Sequence, residues 1–288
     1  MGAQIIDGKV IANTIKAKIS ENVNRYLEDG HRSPKLSVIL VGDDPASKTY
    51  VRNKERSCQQ CSIKSETHIL PVNTSRAELE NLIKQLNDDP TVDGILLQLP
   101  LPDTLAEYSN DMIALIDTQK DVDGFHPQNL GQLSLGIDAL VSCTPLGIVK
   151  LLESTNLDLC GKHAVVIGRS NTVGKPLIQL LLKENCTVSI AHSKTQNLQE
   201  LTKQADILVV AIGKAQFIGA DMVKAGAIVI DVGINRLEDN RLVGDVDFSS
   251  VSKVASYITK VPGGVGPMTV AMLMSNTFEC YKNRIKIN

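Results

Sequence analysis

The sequence predicts an α/β protein of two domains, each built on a mostly parallel sheet flanked by helices. Three observations carry that expectation. Short, continuous apolar runs recur at 36–41 (LSVILV), 95–99 (ILLQL), 164–167 (AVVI), 187–191 (TVSIA), 207–212 (ILVVAI) and 227–232 (AIVIDV), with helical patterns between them. A parallel strand is covered by helices on both faces, so it reads as a continuous apolar run. The length, 288 residues with 43% apolar, is enough for two such cores. Finally, residues 165–176, VVIGRSNTVGKP, pass from strand through a glycine-bearing loop to a helix start.

That last stretch organises the rest. Gly168 and Gly174 let the loop backbone approach an anion closely, and the first N–H groups of the following helix face it with the positive end of the dipole. Only two glycines stand six apart, so the loop departs from G-x-G-x-x-G, and a plain tight βα turn fits the same letters. The next strand ends about 20 residues on, where a binder of unphosphorylated NAD carries an acid for the ribose hydroxyls. This chain has His192, Ser193 and Lys194 there, and Arg169 after the first glycine. A cation and a hydroxyl in place of an acid favour a 2′-phosphate, hence NADP over NAD. The alternative is that Arg169 and Lys194 are ordinary surface charges.

The net charge of −2 and the lack of a basic cluster argue against nucleic acid as a partner. No apolar run reaches the roughly 18 residues of a membrane span, and MGAQIIDGKV has no secretory pattern, so a soluble cytoplasmic protein is expected. Six cysteines are scattered along the chain, against a disulfide framework. Cys58 and Cys61 form a lone CxxC without a second pair or a paired histidine spacing. A reduced pair on a helix is expected, and no catalytic metal.

Taken in order, Val10, Ile11, Ile15, Ile19, Val23 and Leu27 form a helical stripe that Gly30 ends. The strand 36–41 follows, and Asp43-Asp44-Pro45 opens a helix bearing Tyr50, Val51 and Lys54. Residues 65–72 read as a strand. Residues 74–87 read as a helix, with Ser75 and Glu78 as a capping box. Asp93-Gly94 leads into the strand 95–99. Residues 120–131, KDVDGFHPQNLG, show no period and read as a ligand-binding loop. Thr144 is the expected N-cap of a helix 146–152 with Pro145 in its first turn. Near the end, 262–269, PGGVGPMT, packs three glycines and two prolines into a rim or rigid connector, with Thr269 capping a last helix over 270–281.

Tyr50 and Lys54 are four apart, so they share a helix face. Gln98 lies near the carboxyl end of its strand, where open α/β sheets place ligands. A buried, unpaired amide costs about 1–3 kcal/mol, so Gln98 among apolar residues needs a partner. Asp123 lies in the irregular loop. Taken singly, Tyr50 also fits a core or surface aromatic and Lys54 a solvated charge. Together the four could form one catalytic constellation.

The stretches YVRNK (50–54), ILLQLPLP (95–102), KDVDGFHPQNLG (120–131), CTPLG (143–147), VVIGRSNTVGKP (165–176), HSKT (192–195), DVGIN (231–235) and PGGVGPMT (262–269) together resemble the bifunctional methylenetetrahydrofolate dehydrogenase/cyclohydrolase family. The likeness runs nearly end to end, in order. It implies two domains with a folate cleft between them: a folate-binding catalytic domain, 1–143 plus 269–288, and a Rossmann-type NADP domain, 144–268. It implies a homodimer. It implies oxidation of 5,10-methylenetetrahydrofolate with NADP, then hydrolysis of the methenyl product to 10-formyltetrahydrofolate. By resemblance Lys54, Gln98, Asp123 and Tyr50 are catalytic, and Asp121 is the acid most easily confused with Asp123. Gly168, Arg169, Ser170, Val173, Gly174, Ser193 and Ile234 would face the cofactor. Tyr50, Gln98, Asp123, Pro262, Gly263, Gly264 and Thr269 would face the folate. Thr172 departs from the Ile or Val usual in relatives. The dehydrogenase step needs orientation above all. The hydrolysis needs a proton acceptor, and an amine serves as one only in its neutral form, which burial and a cationic substrate both favour. Two other readings compete: a shikimate-type NADP-dependent dehydrogenase, and a non-enzymatic dinucleotide-sensing module.

Overall fold

The computed structural model describes residues 2–285; residues 1 and 286–288, included in the expected catalytic domain, lie outside the described residues. In chain order the elements are β1 (Gln4–Ile6), α1 (Gly8–Glu28), β2 (Lys35–Val41), α2 (Pro45–Gln60), β3 (Lys64–Leu70), α3 (Arg76–Asp88), β4 (Gly94–Leu97), α4 (Asp103–Ala106), α5 (Ser109–Leu115), α6 (Pro127–Ser134) and α7 (Cys143–Glu153). They continue with β5 (His163–Ile167), α8 (Gly174–Lys183), β6 (Thr187–Ala191), α9 (Leu198–Thr202), β7 (Ile207–Val210), β8 (Ile228–Asp231), β9 (Asn235–Arg236), β10 (Leu242–Val243), α10 (Phe248–Val251), β11 (Tyr257–Thr259) and α11 (Val265–Ile285). The described residues form two compact units: 2–12, 133–136 and 144–269 in one, 13–132, 137–143 and 270–285 in the other.

The first unit holds a six-stranded parallel sheet in the order β1-β11-β8-β7-β5-β6. Its inner strands β5, β7 and β8 are buried nearly throughout, with Val165, Ile167, Leu208, Val210, Val229 and Ile258 in one core, whereas the edge strands β1 and β6 are largely open. The chain runs from β5 outward to β6, then returns to β7 on the other side of β5. The loop after β5 therefore opens where the strand order reverses, the place where open α/β sheets take their ligands. One boundary differs from expectation. Residues 4–6, assigned with the catalytic domain from sequence, pair in register with Tyr257–Thr259 in this sheet. Two three-residue strands are too short to show a period, so neither announced itself.

The second unit holds a three-stranded parallel sheet in the order β3-β2-β4. Central β2 is buried from Leu36 to Val41, and Ile39, Leu79, Ile83, Ile95, Leu97 and Met112 share a core. The α3 capping box forms as its letters require: Ser75 Oγ accepts from Glu78 N (3.3 Å), and Glu78 Oε2 accepts from Ser75 N (2.8 Å). Asp44 Oδ2 accepts from Ser47 N (2.7 Å) at the start of α2, with Pro45 in the first turn.

Three helix starts depart from expectation. Helix α7 begins at Cys143, so Thr144 is inside its first turn and is not its cap. Helix α11 begins at Val265 and carries Thr269 in its second turn, where the Thr269 hydroxyl donates to Val265 O (3.4 Å). Pro267 lies in the first turn, where a missing N–H is harmless. The stretch 120–131 is irregular only as far as His126, since α6 begins at Pro127. Helices α4 and α5 and the β9–β10 ladder were not anticipated.

Candidate active site

In the three-stranded unit, α2 presents Tyr50 and Lys54 one turn apart. Val51 and Cys58, on the adjoining side of the helix, are buried and anchor it in the core, which leaves Tyr50 47% exposed and Lys54 half-buried. Gln98 follows the last residue of β4, and its backbone N donates to Ile39 O (2.9 Å), so the sheet edge fixes it. Its side chain finds the partners that burial demands. Lys54 Nζ donates to Gln98 Oε1 (2.9 Å), and Gln98 Nε2 donates to Leu99 O (2.6 Å). The amide thus aims the ammonium.

Asp123 stands on a loop held from several directions. The Lys120 side chain is fully buried and donates from Nζ to the carbonyls of Leu86, Asn87 and Asp89 (2.9, 2.6 and 2.8 Å). Ile95 N donates to Lys120 O (2.8 Å), tying the loop to β4. Asp121 is consumed internally, accepting from His126 N (2.8 Å) and Asn129 Nδ2 (2.9 Å). From α11, Asn276 Nδ2 donates to Val122 O and Val141 O, both 2.9 Å. Gly124 has φ +69°, and a Cβ there would collide with the backbone of Val141. The Asp123 carboxyl, by contrast, accepts no hydrogen bond among the described residues. Burial pushes it up to about 6, the Lys54 ammonium pulls it down, and Asp121 pushes it up. Two acids in one motif therefore separate, Asp121 as loop strut and Asp123 as the unsatisfied group.

Cys143, which sequence reasoning passed over as a site residue, borders this cluster. Its Sγ donates to Val122 O (3.3 Å), and burial together with the Asp123 charge holds the thiol well above its ordinary range. The CxxC thiols are likewise pushed up by burial, Cys58 to about 12 and Cys61 to about 11, so both remain protonated.

In the six-stranded unit the glycines of the loop after β5 are needed for contact. Gly168 has φ +128°, and a Cβ would collide with Ala211 O; a Cβ on Gly174 would collide with Gly168 O. Ser170 Oγ accepts from Val173 N (3.1 Å) and Gly174 N (3.4 Å), and Lys175 N donates to Ser170 O (3.0 Å), so the loop is shaped in advance. No acid stands in the first turn of α8. Thr172 is half-buried and its hydroxyl donates to Ser170 Oγ (3.4 Å), a local bond an aliphatic residue would lack. Ile167 pairs with Ala191, so Arg169 and Ser193, each two residues on, leave adjacent strands at the same edge, both exposed. Close-packed glycines, a helix start free of acids and an exposed Arg–Ser pair fit a phosphorylated dinucleotide.

Ile234, 49% exposed, follows β8. The turn before α11 carries Pro262, Gly263 and Gly264. Gly263 has φ +108° and accepts at its carbonyl from Lys9 N (3.0 Å), while Gly264 is buried where a Cβ would press on Lys260 O and Thr259. Thr144 and Thr269 meet through their hydroxyls (2.9 Å).

The family model described as tetrahydrofolate dehydrogenase/cyclohydrolase, catalytic domain, matches residues 6–123, and its NAD(P)-binding counterpart matches residues 142–285. The chain is 55% identical over 283 residues to the bifunctional protein FolD of Campylobacter hominis, covering 98% of this chain and 99% of the relative. Among solved structures, that of the bifunctional enzyme FolD from Campylobacter jejuni superposes with TM-score 0.95 at 50% identity, covering 98% of this chain and 99% of that one. The Trypanosoma brucei methylenetetrahydrofolate dehydrogenase-cyclohydrolase, complexed with NADP cofactor and an inhibitor, superposes with TM-score 0.94 at 35% identity, covering 99% of both. With both family models matched across nearly the whole length, the shikimate-type alternative has no support, and the chain belongs to the tetrahydrofolate dehydrogenase/cyclohydrolase family.

Proposed function

We propose that this chain oxidises 5,10-methylenetetrahydrofolate to the 5,10-methenyl cation with NADP and then hydrolyses the cation to 10-formyltetrahydrofolate. The observation that carries the reading is the Lys54–Gln98 pair (2.9 Å) beside an unsatisfied, half-buried Asp123. An amine held by an amide, with a carboxylate near it, suits a cationic folate intermediate and has no evident role in a passive binding module.

Bound NADP supplies the hydride acceptor. The residues proposed to hold it are Gly168, Arg169, Ser170, Val173 and Gly174 for the phosphates, Arg169 and Ser193 for the 2′-phosphate, and Ile234 beside the nicotinamide. On the folate side, Tyr50 offers an exposed ring for stacking. Asp123 accepts from the amino and ring N–H groups of the pterin with charge-assisted bonds. Pro262, Gly263, Gly264 and Thr269 are proposed to border the same substrate. Orientation of the methylene carbon supplies most of the rate of oxidation. In hydrolysis, water adds to the methenyl carbon and the Lys54 amine takes the water's proton. Gln98 holds the amine in line. The carbon–ring-nitrogen bond then breaks, the nitrogen takes a proton, and the formyl group stays on the other nitrogen.

We also propose a cytoplasmic homodimer. No described helix is long and apolar enough to cross a membrane, and among the described residues the outer edge of β3 is unpaired in its sheet, which a second copy could cover. Light scattering on the purified protein tests the dimer.

The deciding experiment mixes protein, NADP and 5,10-methylenetetrahydrofolate and follows the methenyl absorbance, then its decay. A rise with NADP followed by decay is expected. Absence of both NADPH and methenyl product would remove the assignment.

A further inference from the structure

Two carboxylates in the six-stranded unit are buried and belong to no step above. Asp245 is fully buried. Its Oδ2 accepts from Ile212 N (2.7 Å) and Gly213 N (2.9 Å), and its Oδ1 from Lys214 N (2.8 Å) and Asn235 Nδ2 (2.9 Å). Asp231, at the end of β8, accepts from Gly233 N (3.0 Å), Asp245 N (2.9 Å) and Val246 N (3.0 Å). Glycines clear the space for both acids, since a Cβ on Gly233 would collide with the Asp245 carboxylate and one on Gly244 with that of Asp231.

The groups so gathered are the loops leaving β7 and β8 at their carboxyl ends, the edge that receives ligands in an open parallel sheet. Gly168 of the phosphate-type loop packs directly on Ala211 O, the residue before the three N–H groups that Asp245 holds. The turn carrying Ile234 is fixed at both sides, through Gly233 to Asp231 and through Asn235 to Asp245. A chain of contacts thus runs from the glycine loop through 211–214 to Asp245 and on to 233–235.

We propose that Asp245, backed by Asp231, is a positioning residue for dinucleotide oxidation. It sets the loops 212–214 and 233–235 against which the glycine loop is shaped, and through them the affinity for NADP. The inference rests on the NADP assignment made above. It concerns the dehydrogenase alone, because hydrolysis of the methenyl cation uses no dinucleotide.

The test is Asp245→Asn in the full-length protein. The volume is kept, but one of the two oxygens becomes an NH₂ that cannot accept from the N–H groups it faces, so two of four donors lose their acceptor. NADP titrated by calorimetry is expected to bind at least tenfold more weakly. Dehydrogenase kcat/KM falls at least tenfold, chiefly through KM for NADP, while hydrolysis of added methenyltetrahydrofolate without NADP stays within twofold. Asn235→Ala, which removes one donor and leaves the carboxylate, gives a two- to fivefold loss of NADP affinity. An unchanged NADP Kd in Asp245→Asn overturns the proposal. So does parallel loss of both activities with the cooperative unfolding transition, which would make Asp245 a fold residue. Wild-type titration with NADP reports separately on the assignment beneath: failure there is failure of the cofactor, whereas the inference is read from the ratio of variant to wild type.

Discussion

At the scale of single residues, the chemistry turns on Lys54 and Asp123. Lys54→Met keeps the stem and removes the amine. The folded protein is expected to bind NADP as before and to lose about 10²- to 10⁴-fold in hydrolysis of methenyltetrahydrofolate, the range for a lost general base. Decay as fast as wild type takes Lys54 out of the mechanism. Asp123 sets a pH dependence whose sign follows from its burial. Its carboxyl is pushed up from 3.8 to about 6. Above that value it is charged and accepts from the pterin; below it the charge-assisted bonds weaken. KM for 5,10-methylenetetrahydrofolate therefore rises as pH falls through about 6, and in Asp123→Asn the profile is flat there. For stability the raised value works the other way. The proton bound in the fold contributes fully below 3.8, and that contribution is lost as pH rises through about 6. Keeping the group ionised at pH 7.5 costs about 1–2 kcal/mol for a half-buried side chain, discounted from the full shift for solvent screening. Asp123→Asn should then melt a few degrees higher at pH 7.5 and no higher at pH 4, as calorimetry at the two values would show.

At the scale of elements, the loop that carries Asp123 depends on the end of α3. The buried Lys120 ammonium takes three carbonyls there, Leu86, Asn87 and Asp89, where a helix dipole is negative. Lys120→Met leaves those acceptors unpaired and should cost about 2–4 kcal/mol. If the protein still folds, KM for folate rises while the NADP Kd is unchanged. Equal changes in both would show that the loop does not depend on this anchor. The capping box at Ser75 was legible because its bonds span three residues and need only local letters. Gln98 was legible as a polar residue in an apolar run that had to find a partner, and Lys54 Nζ is that partner. The starts of α7 and α11 were misplaced because Thr-Pro and Pro-Met-Thr look like caps, whereas the residues that precede the observed starts are Ser142, whose hydroxyl donates to Gly124 O instead, and Gly264, which has no side chain. Asn276 and Asp245 were invisible for a different reason. Their backbone partners stand 154 and 135 residues away for Asn276 and 31–33 residues away for Asp245, and no local pattern foretells a bond to a distant backbone. Asp231 did leave a trace, a charge at the end of AIVIDV, but its partners could not be read from it.

At the scale of the molecule, neither unit is a contiguous piece of chain. The six-stranded unit takes its edge strand β1 from the N-terminus, paired with β11. The three-stranded unit takes most of α11 from the far end. There Phe278 and Tyr281 pack edge-on against Tyr26 at 5.7 and 5.9 Å between ring centroids. Tyr281 Oη donates to Arg32 O (2.6 Å), and Asn276 braces the two strands of backbone at Val122 and Val141. A buried aromatic contributes about 1.5–3 kcal/mol, each buried hydrogen bond about 1 kcal/mol more, and a carbonyl left unpaired costs a similar amount again. Together these contacts match the roughly 5–15 kcal/mol by which a whole domain is stable. A fragment of residues 1–143, cut where the sequence places the domain boundary, should therefore lack a cooperative thermal transition. A sharp transition in that fragment would show that α11 is dispensable to the three-stranded unit, and the bracing of the Asp123 loop by Asn276 would have to be given up with it.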